Sequence, residues 1–294
     1  MPATDIKSII DIHTHVISPD TVRHPLAPLG GTQSDWSRKR PTSAADLIAA
    51  MDAAGVAKAA VVQASTAYGC DNGYLAEAVA AHPDRFTGVF SIDMFAPDAV
   101  ATFDRWHAAG LTGLRLFTTG STSPGQASWL ADPRTFPVWE RAEALGVPVC
   151  LQMRPEGLAD LTTLLDRFRT VPIVLDHLAR VVLSDGPPYA AAAWLFALAD
   201  RPNLFLKLTS RTVEQSAEGG STPEAFFPRL VAAFGADRIA WGSNFPAHAG
   251  PMARLVDAAK RALACLSAAD RAQIFAGTAQ RLYPVLADRT EVTA

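Results

Sequence analysis

Several things that would mark a function class are scarce or missing in this sequence. The three cysteines, Cys70, Cys150 and Cys265, lie far apart with no C-x-x-C pair. Neither a disulfide framework nor a thiolate zinc knuckle is therefore encoded, and a reducing cytoplasm is the expected setting. Charge of one sign is also in short supply, because 26 basic against 29 acidic side chains leave a net −3. That balance gives no general field for nucleic acid or an anionic membrane, and no partner of either kind is expected. The longest apolar run, 189–199, is too short to span a bilayer, and no basic-then-apolar leader opens the chain; neither anchoring nor export is expected. A glycine-rich phosphate turn is missing after the first strand-like segment, where a doubly wound dinucleotide-binding sheet would carry one.

In its place stands Asp11-Ile12-His13-Thr14-His15, following the apolar pair Ile9-Ile10. Strand alternation predicts Asp11, His13 and His15 on one face and Ile10, Ile12 and Thr14 on the other. Two imidazoles converging on one point suit either a divalent metal or proton transfer. Further strand-like segments follow at 58–64, 86–93, 112–117, 147–152, 172–177, 203–209 and 238–243, separated by Ala-rich helical stretches such as 72–81, 98–109 and 136–145. Regular βα alternation implies a parallel sheet, and eight units in about 250 residues is the count and size of a closed (β/α)8 TIM barrel. The 49% hydrophobic content is ample for such a core, and residues 1–294 read as one barrel domain with extra C-terminal helices over 252–286. Ser43 and Asp46 form a capping-box pattern before a helix that Gly55 ends. The polar, Pro-rich segment 18–41, with Trp36 and Arg38-Lys39-Arg40, reads as a long loop over a site.

Active sites of such barrels lie at the carboxyl ends of the strands, and the inward parity there is polar throughout. It offers Gln63 and Ser65, Ser91 and Asp93, then Arg115, Gln152 and Arg154; His177, Lys207, Thr209, Arg211 and Asn244 follow. Asp176, on the opposite parity to His177, reads as structural. Arg115, Arg154, Lys207 and Arg211 would crowd one mouth with cations, which is costly unless an anion sits among them. A small anionic substrate is expected, and bidentate Arg capture of a carboxylate would orient it.

Taken together, Asp11-Ile12-His13-Thr14-His15, Asp176-His177 and Trp241-Gly242-Ser243-Asn244-Phe245-Pro246 resemble the amidohydrolase superfamily in its amidohydrolase-2 branch. Val62-Gln63-Ala64-Ser65 through Tyr68-Gly69-Cys70-Asp71-Asn72 is similar to the pyrone-dicarboxylate lactonase group, as are Leu114-Arg115-Leu116 and Leu206-Lys207-Leu208-Thr209. The resemblance implies a hydrolase that opens lactones or related esters. It implies His13, His15, His177 and Asn244 as catalytic groups, and Gln63, Ser65, Tyr68, Asp93, Arg115, Arg154, Lys207 and Arg211 as substrate contacts. Two strands depart from the superfamily pattern: on strand eight Asn244 replaces the usual Asp, and on strand five Gln152 and Arg154 replace the lysine or histidine of a two-metal centre. One zinc-like divalent ion on His13, His15 and His177 and metal-free catalysis are then equally open. So are two other readings, a metal-dependent decarboxylase or hydratase of aromatic or dicarboxylic acids and a non-catalytic anion-binding barrel. Homo-oligomerisation is left open too.

Overall fold

The structure, a computed structural model, describes residues 6–119 and 125–287. Its strands occur where aliphatic residues recur before a polar terminus. They are β1 (Ile10–Thr14), β2 (Lys58–Val62), β3 (Phe86–Phe90), β4 (Gly113–Phe117), β5 (Val149–Gln152), β6 (Ile173–Asp176), β7 (Leu204–Thr209) and β8 (Ile239–Gly242). All pair in parallel in the order β1 to β8. The seam between β8 and β1 is joined by a parallel bridge of Thr14 with Phe245, whose carbonyl accepts from His15 N at 2.9 Å. With helices between the strands, this is a (β/α)8 barrel, and helices at Met252–Ala262, Ala268–Ala272 and Thr278–Leu282 follow the last strand.

Inside the barrel, Ile10, Val62, Val89, Cys150, Val174 and Phe205 make an apolar floor. Tyr283, from the C-terminal segment, plugs it from below and is fully buried. Gly113 leaves the room for that ring, since a Cβ there would stand 2.9 Å from Tyr283 Cε1. The alternate residues Leu204, Leu206 and Leu208 pack outward in the core beneath the helices. The helix Ala44–Ala54 begins with both capping-box hydrogen bonds of Ser43 and Asp46 and ends at Gly55 with φ 68°, as its sequence predicts. Segment 18–41 is not structureless, because Ser34 caps a short helix, Asp35–Lys39, within it.

The first strand departs from strict alternation. Asp11 lies opposite Ala59 and Thr14 opposite Val61, so three steps on β1 match two on β2, and the register shifts between them. The extra residue of a bulge re-aims the side chains around it. Ile12 joins the interior cluster with Ile10, while His13 and His15 stand above them beside His177. Asp11, expected on the histidine face, instead serves the seam: its Oδ1 accepts from His13 N and Ser243 N, each at 2.9 Å. Across that seam, Gly242 lies against His13, and a Cβ at Gly242 would come within 2.7 Å of His13 Cβ and 3.0 Å of His13 N. Gly242→Ala is therefore expected to lower unfolding stability by about 1–3 kcal/mol, the cost of overpacking a dense interior. Urea denaturation reads the loss; unchanged stability would mean that β1 and β8 can part without cost.

Candidate active site

At the end of β6, the chain enters four consecutive residues with positive φ: His177 (54°), Leu178 (49°), Ala179 (49°) and Arg180 (59°). None is glycine, so this left-handed turn costs roughly 1–2 kcal/mol per residue and must be imposed by its surroundings. Leu178 and Ala179 are fully buried in the core, which anchors the turn. Its product is functional geometry, because His177 and Arg180 both line the same cavity. Asn244 likewise sits at φ 59°, a conformation that Asn tolerates better than most residues.

Asp176 points into the barrel, contrary to the parity expected of it. β6 ends one residue before His177, and with Val174 interior, Asp176 follows on the same face. The carboxylate is fully enclosed, with Lys207 Nζ 2.8 Å from Oδ1 and Arg115 Nε 2.9 Å from Oδ2. Burial alone would raise its pKa, but Lys207 and Arg115 hold it well below the usual carboxylate range. Despite its own burial, Lys207 is carried above its ordinary value by Asp176. Its ammonium also reaches Cys150 Sγ at 3.3 Å. Arg115 donates in addition to Gln152 Oε1.

Above this ion cluster stand the histidines. His13 and His15 have ring centroids 5.0 Å apart, His13 and His177 4.7 Å. All three are held neutral. Burial, then the cations Arg115 and Lys207, lower His15 to about 3, and burial followed by the same cations outweighs Asp176 to bring His177 to about 3 as well. His13 is depressed in the same direction, by burial first and Lys207 second. His15 Nδ1 is 2.8 Å from Val62 O, and a carbonyl only accepts, so Nδ1 carries the hydrogen and Nε2 the lone pair. Trp36 stacks on that ring at 5.0 Å and 28°. His177 Nδ1 meets Thr209 Oγ1 at 2.8 Å. Both nitrogens of His13 are buried without a hydrogen-bond partner, a cost that usually marks a site.

These groups line a cavity of about 220 Å³. Of the residues expected from sequence, His13, His15, His177, Asn244, Ser65, Arg115 and Arg211 come to it. Others do not. Gln63 Nε2 donates to Gly69 O at 3.3 Å and Asp71 O at 2.5 Å, bracing a loop. Tyr68 packs with Ile17, Ala64 and Ala67, and its hydroxyl accepts from Ser18 N at 2.9 Å. Arg154 Nε turns to Thr119 Oγ1 at 3.0 Å, Lys207 is sealed beneath the histidines, and Asp93 lines a neighbouring cavity. β2, β3, β6 and β8 end one to three residues earlier than periodicity suggests, while β4, β5 and β7 end where expected; parity carried past a strand end such as Val62 or Gln152 no longer describes the chain. Trp36 and Arg180, not singled out in the sequence as site residues, do line the cavity. Arg180 had no sequence signal, since a left-handed turn without glycine leaves none. Trp36 lay in the segment expected to cover a site, which Arg40 ties down by donating to Pro246 O and Ala247 O, each at 2.9 Å.

Neutral imidazole is a suitable metal donor, and the orphaned nitrogens of His13 would welcome a partner. Yet among the described residues no three His, Cys, Asp or Glu side chains are disposed to share an ion. Arg115 and Lys207 already surround the carboxylate of Asp176, and Arg180 and Arg211 add further positive charge to the cavity lining, a field that repels a divalent cation. The residues as arranged do not fit a metal centre.

The amidohydrolase family model matches residues 10–285, and the chain belongs to that family. It is 30% identical over 189 residues to the D-galactarolactone isomerase of Agrobacterium fabrum (strain C58), covering 63% of this chain and 61% of the isomerase. Similarity to the 4-sulfomuconolactone hydrolase of Rhizobium radiobacter is 25% identity over 258 residues, 83% of this chain and 77% of the hydrolase. A solved structure from Pseudomonas putida, described as a 2-pyrone-4,6-dicarboxylic acid hydrolase, superposes with a TM-score of 0.76 at 23% identity, over 96% of this chain and 99% of that one. An amidohydrolase from Burkholderia multivorans with bound zinc gives 0.73 at 21% identity, over 94% and 99%. At those identities the superpositions speak for the fold.

Two measurements follow from the ion cluster and the neutral histidines. Lys207→Met should cost about 3–5 kcal/mol by weakening the compensation of a buried charge, whereas Lys207→Met with Asp176→Leu should recover much of it. Additive losses in urea denaturation would show that the two charges are not coupled. For the histidines, the folded pKa of His15 and of His177 lies near 3 against 6.5 unfolded, so the unfolded chain binds more protons between those limits. Stability is thus full above pH 6.5 and falls with acidification, by about 1.4 kcal/mol per pH unit per histidine. Urea midpoints at pH 7, 6 and 5 test this, and a flat profile would mean that both rings take up protons in the fold at the same pH as in the unfolded chain.

Proposed function

We propose that this chain is a hydrolase opening a carboxylate-bearing lactone, or a closely related ester, with a histidine-activated water. The observation that carries the reading is the facing of neutral histidines and cations across one small cavity. His15 and His177 present unbonded Nε2 atoms, while Arg115, Arg180 and Arg211 supply N–H donors. Lactone opening needs a base for water, a group to polarise the carbonyl and a proton for the leaving alkoxide. The two relatives, named for enzymes of lactones, support the same substrate class.

His15 takes the proton of the attacking water at Nε2, its Nδ1–H anchored on Val62 O and its plane held by Trp36. The water oxygen bonds to the lactone carbonyl carbon, and the negative charge moves to the carbonyl oxygen. Asn244, whose carboxamide makes no hydrogen bond among the described residues, donates to that oxygen; as an amide it cannot serve as the base. When the ring C–O bond breaks, the alkoxide takes the proton back from His15. Arg115 and Arg211 hold the substrate carboxylate. Its negative charge offsets the cations that depress the histidines, so an anionic substrate strengthens the base that attacks it. No step runs through a metal.

On this reading, Arg211→Met should reduce kcat/KM roughly tenfold on acidic lactones and much less on neutral ones, since the lost contact is charge-assisted but exposed. Equal losses on both would make Arg211 structural. Dialysis against a chelator should leave turnover largely intact, with elemental analysis giving well under one ion per chain. One ion retained per chain, with activity lost on its removal, would overturn the histidine-only mechanism.

A further inference from the structure

Beside the histidine cavity lies a second one of about 450 Å³, roughly twice its volume, and the two share Ser65, Arg115 and Phe117 as a common wall. Their linings differ in kind. The first is walled by imidazoles and guanidinia; the second by Ile92, Met94, Phe95, Leu116, Phe117 and Trp129. We propose that the second cavity is the specificity compartment of the same enzyme, taking an uncharged apolar group, a ring or short chain, carried by the acidic lactone in the first. The proposal rests on the lactone reading for the head group and on the paired cavities for the rest.

Size makes the first argument. A cavity of about 150 Å³ accepts benzene, so the first cavity holds one small ring with its carboxylate and has no room for a second. A larger substrate can extend past the shared residues into the second cavity, with Arg115 on the polar side to fix the acid. The second cavity also offers a prepared apolar surface. Phe95 is 39% exposed, an unusual position for a large aromatic, yet it is not free. Its ring meets Trp129 edge to face at 5.9 Å, and the Arg134 guanidinium lies over it at 4.6 Å. A rigid aromatic wall next to an active cavity lowers the ordering cost of binding an apolar group. Charge supplies the third argument. Asp93 also lines this cavity, its Oδ1 accepting from Phe95 N at 2.9 Å. A carboxylate there repels a second acid, so the apolar extension is selected to be neutral and the molecule can enter in only one orientation.

Calorimetric binding of two non-hydrolysable probes tests the compartment separately from turnover: tetrahydrofuran-2-carboxylate and its 5-phenyl derivative. The phenyl compound is expected to bind about 10- to 100-fold more tightly to the unaltered protein, the worth of burying one aromatic ring. Trp129→Ala and Phe95→Ala should each erase most of that preference while changing the affinity of the unsubstituted acid less than about twofold. Asp93→Asn should admit a 5-(4-carboxyphenyl) derivative that the unaltered protein rejects. Equal affinities for the first two probes, or a phenyl preference that survives both aromatic substitutions, would overturn the proposal. Failure of the lactone reading is read elsewhere: acidic lactones, with and without a phenyl group, would both remain unhydrolysed while the probe preference stood.

Discussion

The enclosed carboxylate of Asp176 is the constraint on which the rest of this site depends. A single buried charge without partners would be expelled or neutralised. Here, Lys207 from the neighbouring strand and Arg115 from two strands away both reach it, and the three together fill the level between the apolar floor and the histidines. Two cations against one anion leave a net positive layer. That layer lies under His13, His15 and His177, and its field, added to burial, keeps all three rings unprotonated. One ion cluster thus orders three strands, helps keep the three imidazoles above it unprotonated and leaves the cavity with a positive field.

Barrel closure depends on a second carboxylate used quite differently. Asp11 sits where the β1–β8 ladder is thin and accepts two backbone N–H groups, one from each side of the seam. Burial raises its pKa more than those hydrogen bonds lower it. Its role is that of a bonded strut, whereas Asp176 is an ion partner. The bulge that turns Asp11 to the seam also stacks Ile12 and His13 on one side of the strand, so a single local irregularity supplies both the closure and the first histidine.

The architecture was legible because it follows from period and count. Alternating segments, the Ser43–Asp46 cap and Gly55, and the polar strand termini all rest on rules that act within a few residues. What was not legible depends on tertiary imposition. Alternation extrapolated through Asp11 and Asp176 put both carboxylates on the wrong face, because a bulge in one case and an early strand end in the other changed the count. Gln63, Tyr68 and Arg154 have the chemistry of substrate contacts, but each is captured by a nearby backbone or hydroxyl group. Arg180 reaches the cavity through a left-handed turn that the sequence Leu178-Ala179 does nothing to advertise.

That turn shows where the stability of the barrel is spent. Four non-glycine residues in succession at positive φ would not persist in an isolated peptide, and the two between His177 and Arg180 are held there by full burial. Removing the strain with a regular helical turn would swing either the imidazole or the guanidinium out of the cavity. The core beneath the β6 terminus therefore acts as a clamp: its packing energy fixes an imidazole and a guanidinium at opposite ends of one short segment. A four-residue segment held this way delivers an imidazole and a guanidinium to the same cavity wall, which ties the electrostatics of that wall to the packing beneath it.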